Sequence, residues 1–132
     1  MRLILPINPV PASRPRVTRT GHVFYQKTYA NFRREAKPVI EAEIERQGLE
    51  GCPIAGPIDV SIVFLVKRPK KTSLQYPKPD IDNYSKAILD SLNGKLFVDD
   101  YQVVLLTAVK AWAEPEEEGQ IEIYMEQRND PE

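Results

Sequence analysis

IDVSIVFLVK, residues 58–67, is the stretch on which the reading of the fold turns. It is rich in β-branched residues and alternates apolar with small or polar only at its start. That is the pattern of a strand, not of an amphipathic helix. A run this continuously apolar predicts a central strand, covered on both faces or nearly so.

Towards the C-terminus, RPKKTSLQYPKP (68–79) reads as a basic loop. A helix follows over Asp82–Leu92, with Tyr84, Ala87, Ile88, Ser91 and Leu92 on one face, and Asn93-Gly94 is its stop signal. Leu96–Val98 is short and apolar and leads into Asp99-Asp100. Val103–Trp112 reads as a second long strand; QIEIYME (120–126) alternates cleanly and reads as a third, at an edge. Towards the N-terminus, Gly48, Gly51, Pro53, Gly56 and Pro57 mark a loop. Before it, Tyr29, Phe32, Ala36, Val39, Ile40 and Ile44 recur at helical spacing in a helix starting near Lys27 or Thr28. Pro38 lacks an N–H and is expected to kink or split that helix. ASRPRVTRTGHVFYQKTY (12–29) reads as a loop or irregular hairpin with its turn at Thr20-Gly21, and Leu3–Ile7 as a short strand ended by prolines. The expectation is an α+β fold: a small, mainly antiparallel or mixed sheet with helices packed on it. One domain is expected over residues 1–132, with 127–132 as a frayed tail.

Composition narrows the chemistry. A chain that is 42% hydrophobic and 28% charged is an ordinary soluble globular one. No apolar run is long enough to span a membrane, and the N-terminus, broken by Pro6 and Pro9, lacks a signal-peptide pattern. A cytoplasmic location is expected. A single cysteine, Cys52, and a single histidine, His22, exclude an internal disulfide and a Cys-based zinc site. Any metal would rest on oxygen ligands, which favours Mg²⁺ or Mn²⁺. The net charge of −1 hides a polarised chain: residues 1–40 hold eight basic side chains against one acid, Glu35. Residues 111–132 reverse this, with eight acids against Arg128. Such a chain can present a positive face to a polyanion.

The chemistry-bearing pattern lies between residues 78 and 104. Asp80 and Asp82 stand two apart, just before or at a helix start, so in extended backbone their carboxylates share a side. Lys86 follows Asp82 by four residues, over the same end of the helix. A short connection then returns the chain to Asp99-Asp100, so that Asp100 can come back beside Asp80 and Asp82. Three carboxylates and a lysine suit metal-assisted phosphodiester hydrolysis. Aspartate is also a favoured N-cap, acids complement the helix dipole, and Asp99-Asp100 taken alone is a turn. On these grounds cap and metal site stand evenly balanced.

KPDIDNYSKAILDSLNG (78–94) followed by FVDDYQVV (97–104) resembles the core motif of RusA-type Holliday-junction resolvases. Asp80, Asp82, Asn83, Lys86, Asn93-Gly94, Asp99-Asp100 and Gln102-Val103 all stand in the family's order, and RPRVTRTGHVFYQ (14–26) is similar to its N-terminal Arg-Pro-Arg segment. Two positions differ: Tyr84 stands where leucine is usual, and Pro79 where some members carry arginines. The resemblance implies an α+β RusA-like fold and a Mg²⁺-dependent endonuclease, with Mn²⁺ as substitute, that cuts four-way DNA junctions by paired symmetric nicks in recombination and repair. It implies Asp80, Asp82 and Asp100 as metal ligands, Lys86 as the catalytic lysine, and Asp99 in a supporting place behind them. It also implies a homodimer on branched DNA, of phage origin, with no organic cofactor and no membrane. Arg14, Arg16, Arg19, Lys27, Lys70 and Lys71 are the candidate phosphate contacts. The alternatives are a nuclease for other branched or phage replication DNA, and a non-catalytic DNA-binding protein whose aspartates only cap and turn. Trp112 and the aromatics Phe24, Tyr25, Tyr29 and Phe32 read as core in preference to base-stacking platforms.

Overall fold

Every second residue of three strands is buried on one common face: Leu3 and Leu5; Ile58, Val60, Ile62, Phe64 and Val66; Ile121, Ile123 and Met125. The computed structural model, which describes residues 1–13, 16–24, 27–49 and 51–128, places these strands in a single sheet. They are β1 (Arg2–Leu5), β4 (Ile58–Val66) and β6 (Gln120–Gln127), joined by β5 (Val103–Trp112) in the order β1-β6-β4-β5. β6 runs antiparallel to both of its neighbours, and β5 runs parallel to β4, so the sheet is mixed and the fold is α+β. A separate two-stranded ladder pairs β2 (Arg16–Val17) with β3 (Val23–Phe24). Its turn sits where the Thr20-Gly21 signal put it: Thr18 N–H donates to His22 O, and Gly21, at φ 87°, donates back to Thr18 O.

Two helices cover the buried face. α1 (Lys27–Gln47) buries Tyr29, Phe32, Ala36, Ile40 and Glu43; α2 (Ile81–Leu92) buries Tyr84, Ser85, Ala87, Ile88, Leu89 and Leu92. α2 bridges β4 to β5, the crossover that a parallel pair requires. Tyr84 is tolerated because it stacks on Phe64 with ring centroids 5.5 Å apart. Ser91, expected in the core, is only half-buried.

Pro38 lies inside one continuous helix, which it does not split. It removes a single N–H donor, while core residues on both sides of it pack on the same sheet. One strand position also differs from expectation: β6, expected at an edge, lies inside the sheet, and β1 and β5 are its edges. Alternation reports that one face is wet, and β6's outer face is wet even though both its edges are paired. For the same reason β4, although central, is covered on one face only: Ser61 on the other face is exposed, and Asp59, Val63 and Leu65 are half-buried. At the far end, Gln127 belongs to β6 through its pairing with Ile58, and Arg128 is tied to Pro57 O and the Asp59 carboxylate. Of the tail expected over 127–132, residues 129–132 lie outside the described residues.

The sheet's two edges are treated differently. At β1, Ile4 N–H donates to the buried Glu43 carboxylate at 3.2 Å, and Arg2 O accepts from Gln47 Nε2 at 2.6 Å, so α1 covers that edge. Among the described residues no segment pairs with the outer edge of β5. Val104, Leu105, Leu106 and Val109 on β5 are exposed, together with Val98 and Tyr101 just before it.

Candidate active site

Asp80 occupies the N-cap position of α2 with extended backbone (φ −64°, ψ 140°), and its carbonyl accepts from Asn83 and Tyr84 N–H. Its carboxylate, among the described residues, makes no capping hydrogen bond. The backbone therefore starts the helix while the side chain is left to other uses. Asp82, in the first turn, is exposed and accepts only the neighbouring Asn83 N–H at 3.0 Å among the described residues. The approach to this helix end is pinned from two sides. Lys110 Nζ on β5 donates to Pro79 O at 2.8 Å and lies 5.7 Å from the Tyr76 ring centroid; Trp112 Nε1 donates to Leu74 O at 2.9 Å. From the other side, Ala12 N–H donates to Asn83 O at 2.9 Å.

Lys86 lies one turn further along α2. Its ammonium pairs with Asp90 Oδ1 at 3.1 Å, and Asp90 Oδ2 accepts the Tyr29 hydroxyl of α1 at 3.1 Å. The Arg33 guanidinium in turn rests 5.9 Å from the Tyr29 ring centroid. Asp100 comes up to this part of the helix, within Coulombic reach of Lys86 and Asp90. Burial is the leading reason its carboxyl is pushed above its ordinary value. A hydrogen bond to Asp99 and the charges of Asp99 and Asp90 add to that shift, and Lys86 opposes it.

Asp100 opens a 3₁₀ turn, Asp100–Gln102, whose cap is Asp99. The Asp99 carboxylate takes the Asp100 N–H at 2.7 Å, while Gln102 Oε1 accepts the Asp99 N–H at 2.8 Å, a reciprocal capping box. Gln102 Nε2 donates to both Ile54 O and Gly56 O. Asp99 and Gln102 thus form the mount on which Asp100 sits.

Asp100 lies within Coulombic reach of Lys86, Asp90 and Asp99. Among the described residues no three His, Cys, Asp or Glu side chains stand close enough to hold a metal ion as a closed group. The donors present are nevertheless all carboxylate oxygens, and Asp80 makes no use of its own in the helix. Mg²⁺ keeps several waters and needs one or two protein carboxylates beside substrate phosphate, so an open carboxylate set of this kind fits it.

Of the candidate phosphate contacts, Arg19, Lys27, Lys70 and Lys71 are exposed. Arg16 lies in β2, and Arg14 lies outside the described residues. Tyr29 and Phe32 are core and Trp112 is a tether, which leaves none of the three as a base-stacking platform; Phe24 lies in β3, and Tyr25 is outside the described residues. Sequence reasoning missed Asp90, Tyr29 and Lys110 as site neighbours. Only Asp90 left a trace, its i,i+4 spacing from Lys86.

Comparison with known proteins agrees with the motif. The family model described as Endodeoxyribonuclease RusA matches residues 6–126, nearly the whole chain. The uncharacterized protein YqaN of Bacillus subtilis (strain 168) is 35% identical over 75 aligned residues, which cover 46% of this chain and 53% of that protein. The match thus spans about half the length of that relative. No helix among the described residues is long and apolar enough to cross a membrane.

Proposed function

The chain belongs to the RusA endodeoxyribonuclease family, and from that premise we propose a Mg²⁺-dependent endonuclease that resolves four-way DNA junctions by paired symmetric nicks, in recombination and repair. What carries the reading is the ordered set Asp80, Asp82, Lys86, Asp99-Asp100, Gln102 in a chain whose family match covers residues 6–126. Asp80, Asp82 and Asp100 would hold the cation, with Mn²⁺ as a substitute. When bound, it supplies positive charge that offsets the charge growing on the scissile phosphate and makes a water a better nucleophile. Lys86 directs its ammonium at the same phosphate, donating hydrogen bonds to its non-bridging oxygens as charge accumulates. The Asp99–Gln102 capping box holds Asp100 in place. Arg14, Arg16, Arg19, Lys27, Lys70 and Lys71 contact backbone phosphates, positioning the DNA without reading its sequence.

Two matched cuts in a two-fold symmetric junction call for two sites related by a two-fold axis, which a homodimer provides. The support within the chain is β5. A long edge strand with exposed Val104, Leu105, Leu106 and Val109 is poorly suited to stand alone in water. Antiparallel pairing of β5 with its own copy would continue the sheet across the axis and cover these side chains.

The test is cleavage of a mobile four-way junction, beside three-way, flap and linear duplexes, with Mg²⁺, Mn²⁺ or Ca²⁺. The expected result is symmetric nicking of the four-way junction with Mg²⁺ and loss of it in Asp82→Asn. No cleavage with either Mg²⁺ or Mn²⁺, or Asp82→Asn cutting like wild type, would overturn the reading. Equal cutting of the other branched substrates would replace the junction by a broader substrate class.

A further inference from the structure

We infer that Asp90 is a positioning residue: held by the Tyr29 hydroxyl of α1, its carboxylate fixes the Lys86 ammonium beside Asp100. The inference rests on the catalytic role proposed for Lys86. It starts from the observation that Asp90 is badly placed for helix stability. It stands in the last turn of α2, where a negative charge opposes the helix dipole, and that turn carries no basic residue. Its pair with Lys86 runs lysine first and acid second, the poorer orientation at i,i+4. It also adds negative charge near Asp100, which is itself an acid. A carboxylate with these three costs needs another reason to be there.

The contacts supply one. Asp90 is the sheltered member of the pair, its side chain 21% exposed against 60% for Lys86. One oxygen takes the Tyr29 hydroxyl and the other the Lys86 ammonium, each at 3.1 Å. Tyr29 is itself buried in the core. A lone i,i+4 pair on a wet surface fluctuates among rotamers. Here the acid is anchored to a second helix, so the chain α1, Tyr29, Asp90, Lys86 carries the rigidity of the core out to an exposed ammonium. A long lysine side chain loses much rotamer freedom when held, and holding it before the phosphate arrives removes that cost from the reaction itself.

The experiment has two arms. In the first, NMR follows the Lys86 side-chain methylene next to Nζ in metal-free, DNA-free protein. A restrained signal in wild type should become motionally averaged in Asp90→Asn, and partly so in Tyr29→Phe, which keeps the buried ring. The same signal in wild type and Asp90→Asn overturns the inference whether or not the protein cuts DNA. In the second arm, single-turnover junction cleavage should fall about 10- to 100-fold in Asp90→Asn, the scale of a misplaced reacting group. Tyr29→Phe should lose about 2- to 10-fold, the worth of one hydrogen bond. Junction affinity with Ca²⁺ should stay unchanged in both. Asp90→Asn should add no further loss to Lys86→Ala, because Asp90 acts through Lys86. Equal loss in the two backgrounds, or weakened junction binding, assigns Asp90 a merely structural role. Failure of wild type to cut would count against the proposed function alone, since the NMR arm still decides the placement of Lys86.

Discussion

Replacing Gln102 by alanine tests the mount of Asp100 directly. The Gln102 side chain is 4% exposed and makes three hydrogen bonds: Oε1 from Asp99 N–H at 2.8 Å, and Nε2 to Ile54 O at 2.9 Å and Gly56 O at 2.8 Å. Each bond is worth about 0.5–1.5 kcal/mol net. The Ile54 carbonyl keeps a second donor, Val98 N–H at 3.2 Å, and Gly56 lies at an exposed position where water can replace the amide. The loss should therefore fall in the lower half of the summed range, about 2–3 kcal/mol. A domain of this size has about 5–15 kcal/mol to lose, so the variant remains folded and measurable. Urea titration of the metal-free protein reads the difference. Gln102→Glu has nearly the same shape but turns an acceptor towards two carbonyl oxygens. It should cost more than alanine at neutral pH and recover part of the loss in acid, where a protonated carboxyl can donate once. An alanine variant within about 0.5 kcal/mol of wild type, less than one such bond, would refute the account of this turn.

Other outcomes follow from the same geometry. Asp80→Ala should leave stability within about 0.5 kcal/mol, since no capping bond is lost, whereas Asp99→Ala should cost about 1 kcal/mol by urea titration. Cleavage should vanish in the first. Asp100 has a raised folded pKa, so its protonated form favours the fold, and that stability is lost as pH rises from the ordinary carboxylate value through the raised one. Asp100→Asn should therefore be more stable than wild type at neutral pH without metal, converging with it in acid, as thermal melts across pH would show. Leu105→Lys with Val109→Lys should shift the mass seen by light scattering from dimer to monomer while far-UV circular dichroism stays unchanged. It should also turn paired cuts into single nicks.

Much of this protein is legible along the chain. Strand periodicity, the helix stop at Asn93-Gly94 and the ordered acidic motif are local patterns, and local patterns report backbone state and chemical type. They placed all four strands of the sheet and both helices, and the motif agrees with the family match. They also posed the choice at Asp80 between cap and ligand. The structure sharpens that choice, because the residue starts the helix with its backbone while its carboxylate makes no capping bond.

Neighbour relations belong to the tertiary structure. Alternation in β6 says which face meets water, not which edges are paired, so a strand that reads as an edge lies inside the sheet. Pro38 carries a local penalty that packing on both sides of it overrides. Asp99 became a cap and Gln102 its lock only once residues 54–56 were folded against them. The tie from Tyr29 to Asp90 joins residues 61 apart in sequence. No periodicity spans such a distance; it exists because α1 and α2 lie side by side on one sheet.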